Sequence, residues 1–227
     1  MSKSRLKTAS IIFTIILILW PLLTFVSLPT GNTFTDQLLS IKNSPWLYIL
    51  NFIIAFLIAP AIIFMLYEFY KKFTGNQWNF TAKAGFILYT LYFIIVNISY
   101  ASQFLYLPFI IDSLPEKKVL DWYFFNDDSL VILINQTGYL IWSIATLFIF
   151  MQPTFKGTLV FFITKILILS ALTQMVATIG LYFDQSNLSG LTFYSGILLF
   201  PAGVLIIIYS YINKSPDNHR KAYYEKK

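Results

Sequence analysis

The chain has 227 residues, of which 57% are hydrophobic, 19% aromatic and only 11% charged; its net charge is +6, it has no cysteine, and its mean hydropathy is +0.69. A soluble domain carries about 25% charged residues, so this chain lacks the polar surface to cover a globule in water. Soluble enzymes, nucleic-acid-binding domains and disordered tail proteins are excluded on that ground. The missing cysteines exclude disulfide frameworks, zinc–thiolate sites, iron–sulfur clusters and thiol nucleophiles. A single histidine, His219 in the polar C-terminal tail, excludes metal or haem sites built on several imidazoles.

A membrane-spanning helix needs about 20 mostly apolar residues. Six runs qualify: Ala9–Leu28, Trp46–Tyr70, Ala82–Ile111, Leu130–Met151, Thr158–Phe183 and Tyr194–Ile212. None alternates polar and apolar residues as a barrel strand does. Backbone polar groups in lipid must be satisfied within the chain. The expected fold is therefore all-α, an integral membrane bundle of six transmembrane helices: residues 1–214 form one transmembrane domain and 215–227 a polar, frayed cytoplasmic tail. The first run has a basic start like a signal peptide, but it lacks an A-x-A-type cleavage site and its apolar stretch is too long for one. It is expected to be retained.

Twelve of the sixteen Lys and Arg residues fall in the two tails and the even-numbered loops, against Lys42, Lys117 and Lys118 in the odd-numbered ones. The positive-inside rule then places both termini in the cytoplasm, in a cell membrane of bacterial type. Anionic lipid headgroups, not nucleic acid, are the expected partners of the basic residues. Trp46, Trp78 and Trp122 fall near span ends, as does much of the tyrosine, matching an aromatic belt at headgroup level. In the loop over residues 112–129, Trp122, Tyr123, Phe124 and Phe125 lie between acidic flanks; they are expected to rest in the membrane interface, the other reading being a lid folded back over the bundle.

Charges inside the spans are few. Glu68 precedes Lys71 and Lys72 at helical spacing, which predicts a surface ion pair. Lys165 lies about two turns inside the fifth span and is expected to snorkel to the headgroups. Pro21, Pro60, Pro108 and Pro201 each sit in or at the end of an apolar run, where proline kinks a helix. Ala55 and Ala59 make one small-xxx-small pair for close packing. Asp127 and Asp128, ahead of the fourth span, lack the spaced oxygens of a Ca²⁺ loop and suit a helix N-terminus. Nucleotide-binding, zinc-protease and nucleophile-elbow motifs are missing, so no enzymatic activity and no cofactor are implied.

Uncharged polar residues are more informative. At 100° per residue, Tyr92, Ser99, Gln103 and Tyr106 share an arc of the third span, and Asn135, Tyr139, Trp142, Ser143 and Thr146 share one of the fourth. On the fifth, Ser170, Gln174 and Thr178 do the same. Threading direction puts Asn51, Gln103, Asn135, Gln136 and Gln174 in the outer half of the membrane, with Asn97 nearer the middle. Amides in lipid need partners and point into the bundle. Two readings follow: interhelical glue, or an outward-facing, uncharged polar cavity. The candidate ligand-binding residues are Asn51, Asn97, Gln103, Tyr106, Asn135, Gln136, Tyr139 and Gln174, suited to a small neutral or amphipathic solute that is bound or transported. The alternative is an accessory or immunity-type membrane subunit that acts through helix contacts with a partner protein.

The segment Tyr100-Ala101-Ser102-Gln103-Phe104, with Gln136-Thr137-Gly138-Tyr139 one span later, resembles a pattern in small multi-pass bacterial membrane proteins of uncharacterised function. The resemblance covers the third and fourth spans only, and it implies no activity and no site residues.

Overall fold

The computed structural model describes residues 2–74, 78–152, 155, 157–185, 188 and 190–212, and the tail 215–227 lies outside them. Every regular element among the described residues is helical. Helix α1 (Ser2–Ser27) is followed by a short α2 (Phe34–Asn43) and a long α3 (Pro45–Thr74). Helix α4 (Phe80–Ala101) runs through a π-helical turn, Ser102–Tyr106, into α5 (Leu107–Ile110). Then come α6 (Glu116–Leu120), α7 (Leu130–Phe150), α8 (Thr158–Tyr182) and α9 (Leu191–Ile212).

Six helical stretches are long and apolar enough to cross a membrane: Arg5–Ser27, Pro45–Thr74, Phe80–Ile110, Leu130–Phe150, Thr158–Tyr182 and Leu191–Ile212. This is the pattern of a multi-pass membrane protein. The faces turned away from the bundle expose Phe25, Ile87, Phe109, Phe162 and Phe193, as helices solvated by hydrocarbon do.

The spans form a ring. Each packs on its neighbour in sequence, in the order α1, α3, α4, α7, α8, α9, and α9 returns to α1. The tightest seam is α4 against α7, where two glycines admit the opposing helix. A Cβ at Gly85 would sit 2.5 Å from Ile149 Cγ1, and one at Gly138 would overlap Val96 Cγ2. Hydrogen bonds add to other seams. Thr24 Oγ1 donates to Asn51 Oδ1 at 2.9 Å between α1 and α3. Ser170 Oγ donates to Ser195 O at 2.9 Å, and Ser195 Oγ returns a bond to Ser170 O at 3.0 Å, between α8 and α9.

Both ends of the ring are filled. At the end bearing the α4–α7 loop, α2 lies over the bundle with Leu38 and Ile41 buried. Its start is fixed by a capping box, in which Thr33 Oγ1 accepts from Asp36 N at 3.1 Å and Asp36 Oδ2 accepts from Thr33 N at 3.2 Å. Thr33→Ala removes one half of that box and is expected to weaken α2 by about 1 kcal/mol. Faster hydrogen exchange confined to the α2 amides is the readout, and unchanged protection would contradict the role. Three contacts tie α2 to the loop. Tyr123 Oη donates to Gln37 Oε1 at 2.8 Å, Thr35 Oγ1 to Glu116 Oε2 at 3.1 Å, and Lys42 Nζ to Asp112 Oδ1 at 2.7 Å. Burial pushes the Tyr123 phenol above its ordinary value, so it remains a donor throughout the neutral range.

The aromatic run does not rest in the interface. Tyr123 is fully buried, and Phe124 and Phe125 pack on Phe52 at ring-centroid distances of 5.1 and 6.1 Å. The segment folds back over the bundle as a lid. The opposite end is closed by Phe69, Phe73, Phe150, Phe155 and Tyr209, with Phe69 and Phe155 stacked at 6.3 Å.

Two expectations about charges divide. Lys165 is exposed, its Nζ 5.3 Å from the Phe161 ring one turn toward the helix start, the posture of a snorkelling lysine. Glu68, by contrast, is buried at 4% exposure. The expected surface position does not describe it; its place on α3 turns it into the ring.

Candidate functional site

The ring encloses a cavity of about 490 Å³ in the half nearest the lid. All six spans contribute to it: Leu17 and Trp20 from α1, Ile58 and Ile62 from α3, Tyr92 and Tyr100 from α4, Asn135, Gln136, Tyr139 and Trp142 from α7, Gln174 from α8, and Ser195 and Leu199 from α9. Phe124 of the lid lines it as well. The size is that of a site for a drug-sized molecule, and the makeup, mostly apolar with a few convergent polar groups, is that of a ligand pocket. No charged side chain lines it.

Four of the sequence-predicted residues meet here. Asn135, Gln136 and Tyr139 come from one face of α7, and Gln174 faces them from α8. Gln174 Nε2 donates to Gln136 Oε1 at 2.9 Å, which fixes both amides. Thr178 Oγ1 adds a longer bond to the same oxygen at 3.4 Å. The hydroxyls of Tyr139 and Tyr100 are 2.8 Å apart, and the Tyr92 ring lies 5.6 Å from that of Tyr139.

The other four are elsewhere. Asn51 lies outside the lining, and its Oδ1 accepts from Thr24 Oγ1 at 2.9 Å. Gln103 sits in the π-helical turn and is saturated: Tyr48 Oη donates to its Oε1 at 2.6 Å and Phe124 N at 3.2 Å, while its Nε2 donates to Ser102 Oγ at 2.8 Å and Trp122 O at 2.9 Å. It holds the lid, not a ligand. The turn lies directly before Pro108, which has no N–H for the carbonyl of Phe104; π-helical turns recur at functional sites. Tyr106 is 41% exposed and meets the edge of Trp122 at 5.0 Å. Asn97 is 5% exposed, away from the cavity, and neither atom of its amide has a hydrogen-bond partner among the described residues.

Two further residues line the cavity, Trp20 and Trp142. Trp142 is 1% exposed and Trp20 half-buried, and neither indole N–H has a hydrogen-bond partner among the described residues. The Nδ2 of Asn135 has none there either. All three nitrogens are covered by protein atoms and do not face the cavity. A buried donor left unpaired costs about 1–3 kcal/mol, and native proteins keep few of them. Trp142 stands seven residues from Asn135 on the same α7 face, so the polar arc did contain it; tryptophan's preference for span ends masked the signal. Chemically, the lining among the described residues is mostly apolar with uncharged amides and hydroxyls, and none of it is Asp, Glu, His, Lys or Arg.

No known family, curated protein or solved structure matches this chain.

Proposed function

With no relative to draw on, function rests on the cavity, and we propose that this is a membrane protein that binds a small, neutral, amphipathic molecule within its helix ring. The observation that carries the reading is an apolar space of about 490 Å³ lined from all six spans, with the uncharged polar residues Gln136 and Tyr139 on one side of it. A largely apolar ligand fills the space, and its uncharged polar end lies beside those residues. The lysine distribution supports a cytoplasmic location for both termini, which puts the cavity in the outer half of a cell membrane. Transport is the natural extension of binding at that place.

Native mass spectrometry of the intact protein released from its own membranes tests this. Wild type is expected to carry a bound small molecule, and Asn135→Leu combined with Gln174→Leu to lose it. A clean apo mass from every membrane source, with no ligand-dependent thermal shift across a panel of amphiphiles, would leave the amides as interhelical glue. A stoichiometric second protein in place of a small molecule would favour the accessory-subunit reading.

A further inference from the structure

The cavity is blocked along the ring axis but not at its side. Phe124 and its clamp close one end, and the Phe69 cluster lies at the other. The exposed residues of the lining all belong to α1 and α9: Pro21, Phe193, Ile197 and Phe200. These two helices touch closely on the side away from the lid. There Gly203 meets α1 so tightly that a Cβ would fall 2.8 Å from Thr14 Oγ1, and Lys7 Nζ lies 4.1 Å from the centre of the Tyr211 ring. On the lid side of that contact each carries a proline, Pro21 and Pro201, and the exposed residues of the lining lie there, so the cavity reaches the outer surface through a gap between them. A helical proline bends its helix and leaves the carbonyl four residues back without its donor. Those carbonyls belong to Leu17 and Ile197, both in the lining. The gap therefore opens onto hydrocarbon and has a polar rim.

We propose that the ligand is an uncharged acyl lipid that enters sideways from the bilayer between α1 and α9. This rests on the cavity being a binding site, and it adds the ligand's class and route. The uncharged headgroup lies beside Gln136 and Tyr139, and the chain leaves through the gap past Phe193 and Phe200. Three features select this chemistry. The lining is almost wholly apolar, so the ligand must be largely apolar too. The lining has no charge to pair with a phosphate or ammonium, and burying either one alone is prohibitive. The volume holds a headgroup and the start of a chain, so the remainder of a lipid must stay outside in the gap.

The test uses the full chain in phosphatidylcholine nanodiscs, with a monoacylglycerol carrying a diazirine near its carboxyl end. Labelling is expected on the α9 segment Phe193–Pro201 and on α7 near Trp142, above the level given by a matched diazirine phosphatidylcholine. Gly196 has open space where a Cβ would be, so Gly196→Leu plugs the mouth without a clash; it should cut this labelling at least tenfold and leave labelling of the outer α8 face unchanged. Equal labelling by an anionic phosphatidylglycerol probe, or labelling indifferent to Gly196→Leu, overturns the proposal. Water-soluble glycerol monobutyrate separates the two readings. If it raises the wild-type melting temperature while the long-chain probe does not label, the lateral lipid route fails and the cavity stands as a binding site. If neither binds, both fail.

Discussion

Exchange of Gln103 for leucine is expected to release the Trp122–Phe125 lid and cost about 3 kcal/mol of stability. The near-isosteric side chain leaves no large void, so the effect isolates the hydrogen bonds. The exchange strands the Tyr48 hydroxyl, the Phe124 N–H and the Trp122 carbonyl, all now served by one amide. Each buried group left unpaired costs about 1–3 kcal/mol, and partial re-pairing within a membrane bundle reduces the sum. Thermal unfolding in detergent reads the loss. Hydrogen exchange at Phe124 reads its location, since freeing the lid should expose that amide before the spans unfold. Full protection of Phe124 in a folded variant would show that aromatic packing on Phe52 holds the lid without Gln103.

The other large effect lies at the α4–α7 seam. Gly138→Leu drives a four-carbon side chain into Val96, and overpacking of this kind costs about 1–3 kcal/mol. At this site the cost is expected at the upper end, because parting the helices strains the Tyr100–Tyr139 contact beside Gly138, 2.8 Å between hydroxyl oxygens. Helix propensity acts against the loss by about 1 kcal/mol, since glycine is a poor helix former. Gly196→Leu has the same propensity gain with nothing within 4 Å to collide with, so the pair forms an internal control. Membrane accumulation and melting temperature should drop for the first substitution and hold or rise for the second. Equal behaviour of the two would remove close approach as the reason for glycine at 138.

The spans were legible because lipid imposes a simple rule, roughly 20 apolar residues without interruption. Where ends differ, local backbone bonding explains it. The run from Trp46 stops at the lysines after Tyr70, yet α3 continues to Thr74, whose Oγ1 donates to Tyr70 O at 3.2 Å. Helix α2 carries only a weak signal in the sequence, although Phe34, Leu38 and Ile41 have helical spacing. Its box closes on Asp36, where the usual signature has Glu or Gln, and at ten residues it is too short to span. Four aromatics in a loop favour headgroups, but Gln103, an amide deep in an apolar run, takes partners on the loop backbone and draws the segment onto the bundle. Periodicity put eight polar residues inside the ring but was blind to their pairing. Asn51 and Asn135 look alike in sequence; one meets Thr24, and the other borders a void.

The seam between α1 and α9 joins the two of the six spans that lie farthest apart in sequence. The five spans before α9 pack each on the next in chain order and by themselves make an open arc. Helix α9 supplies the wall from Phe193 to Pro201. The chamber is therefore complete only when α9 has docked on both α8 and α1, so closing the ring and forming the chamber are a single event in folding.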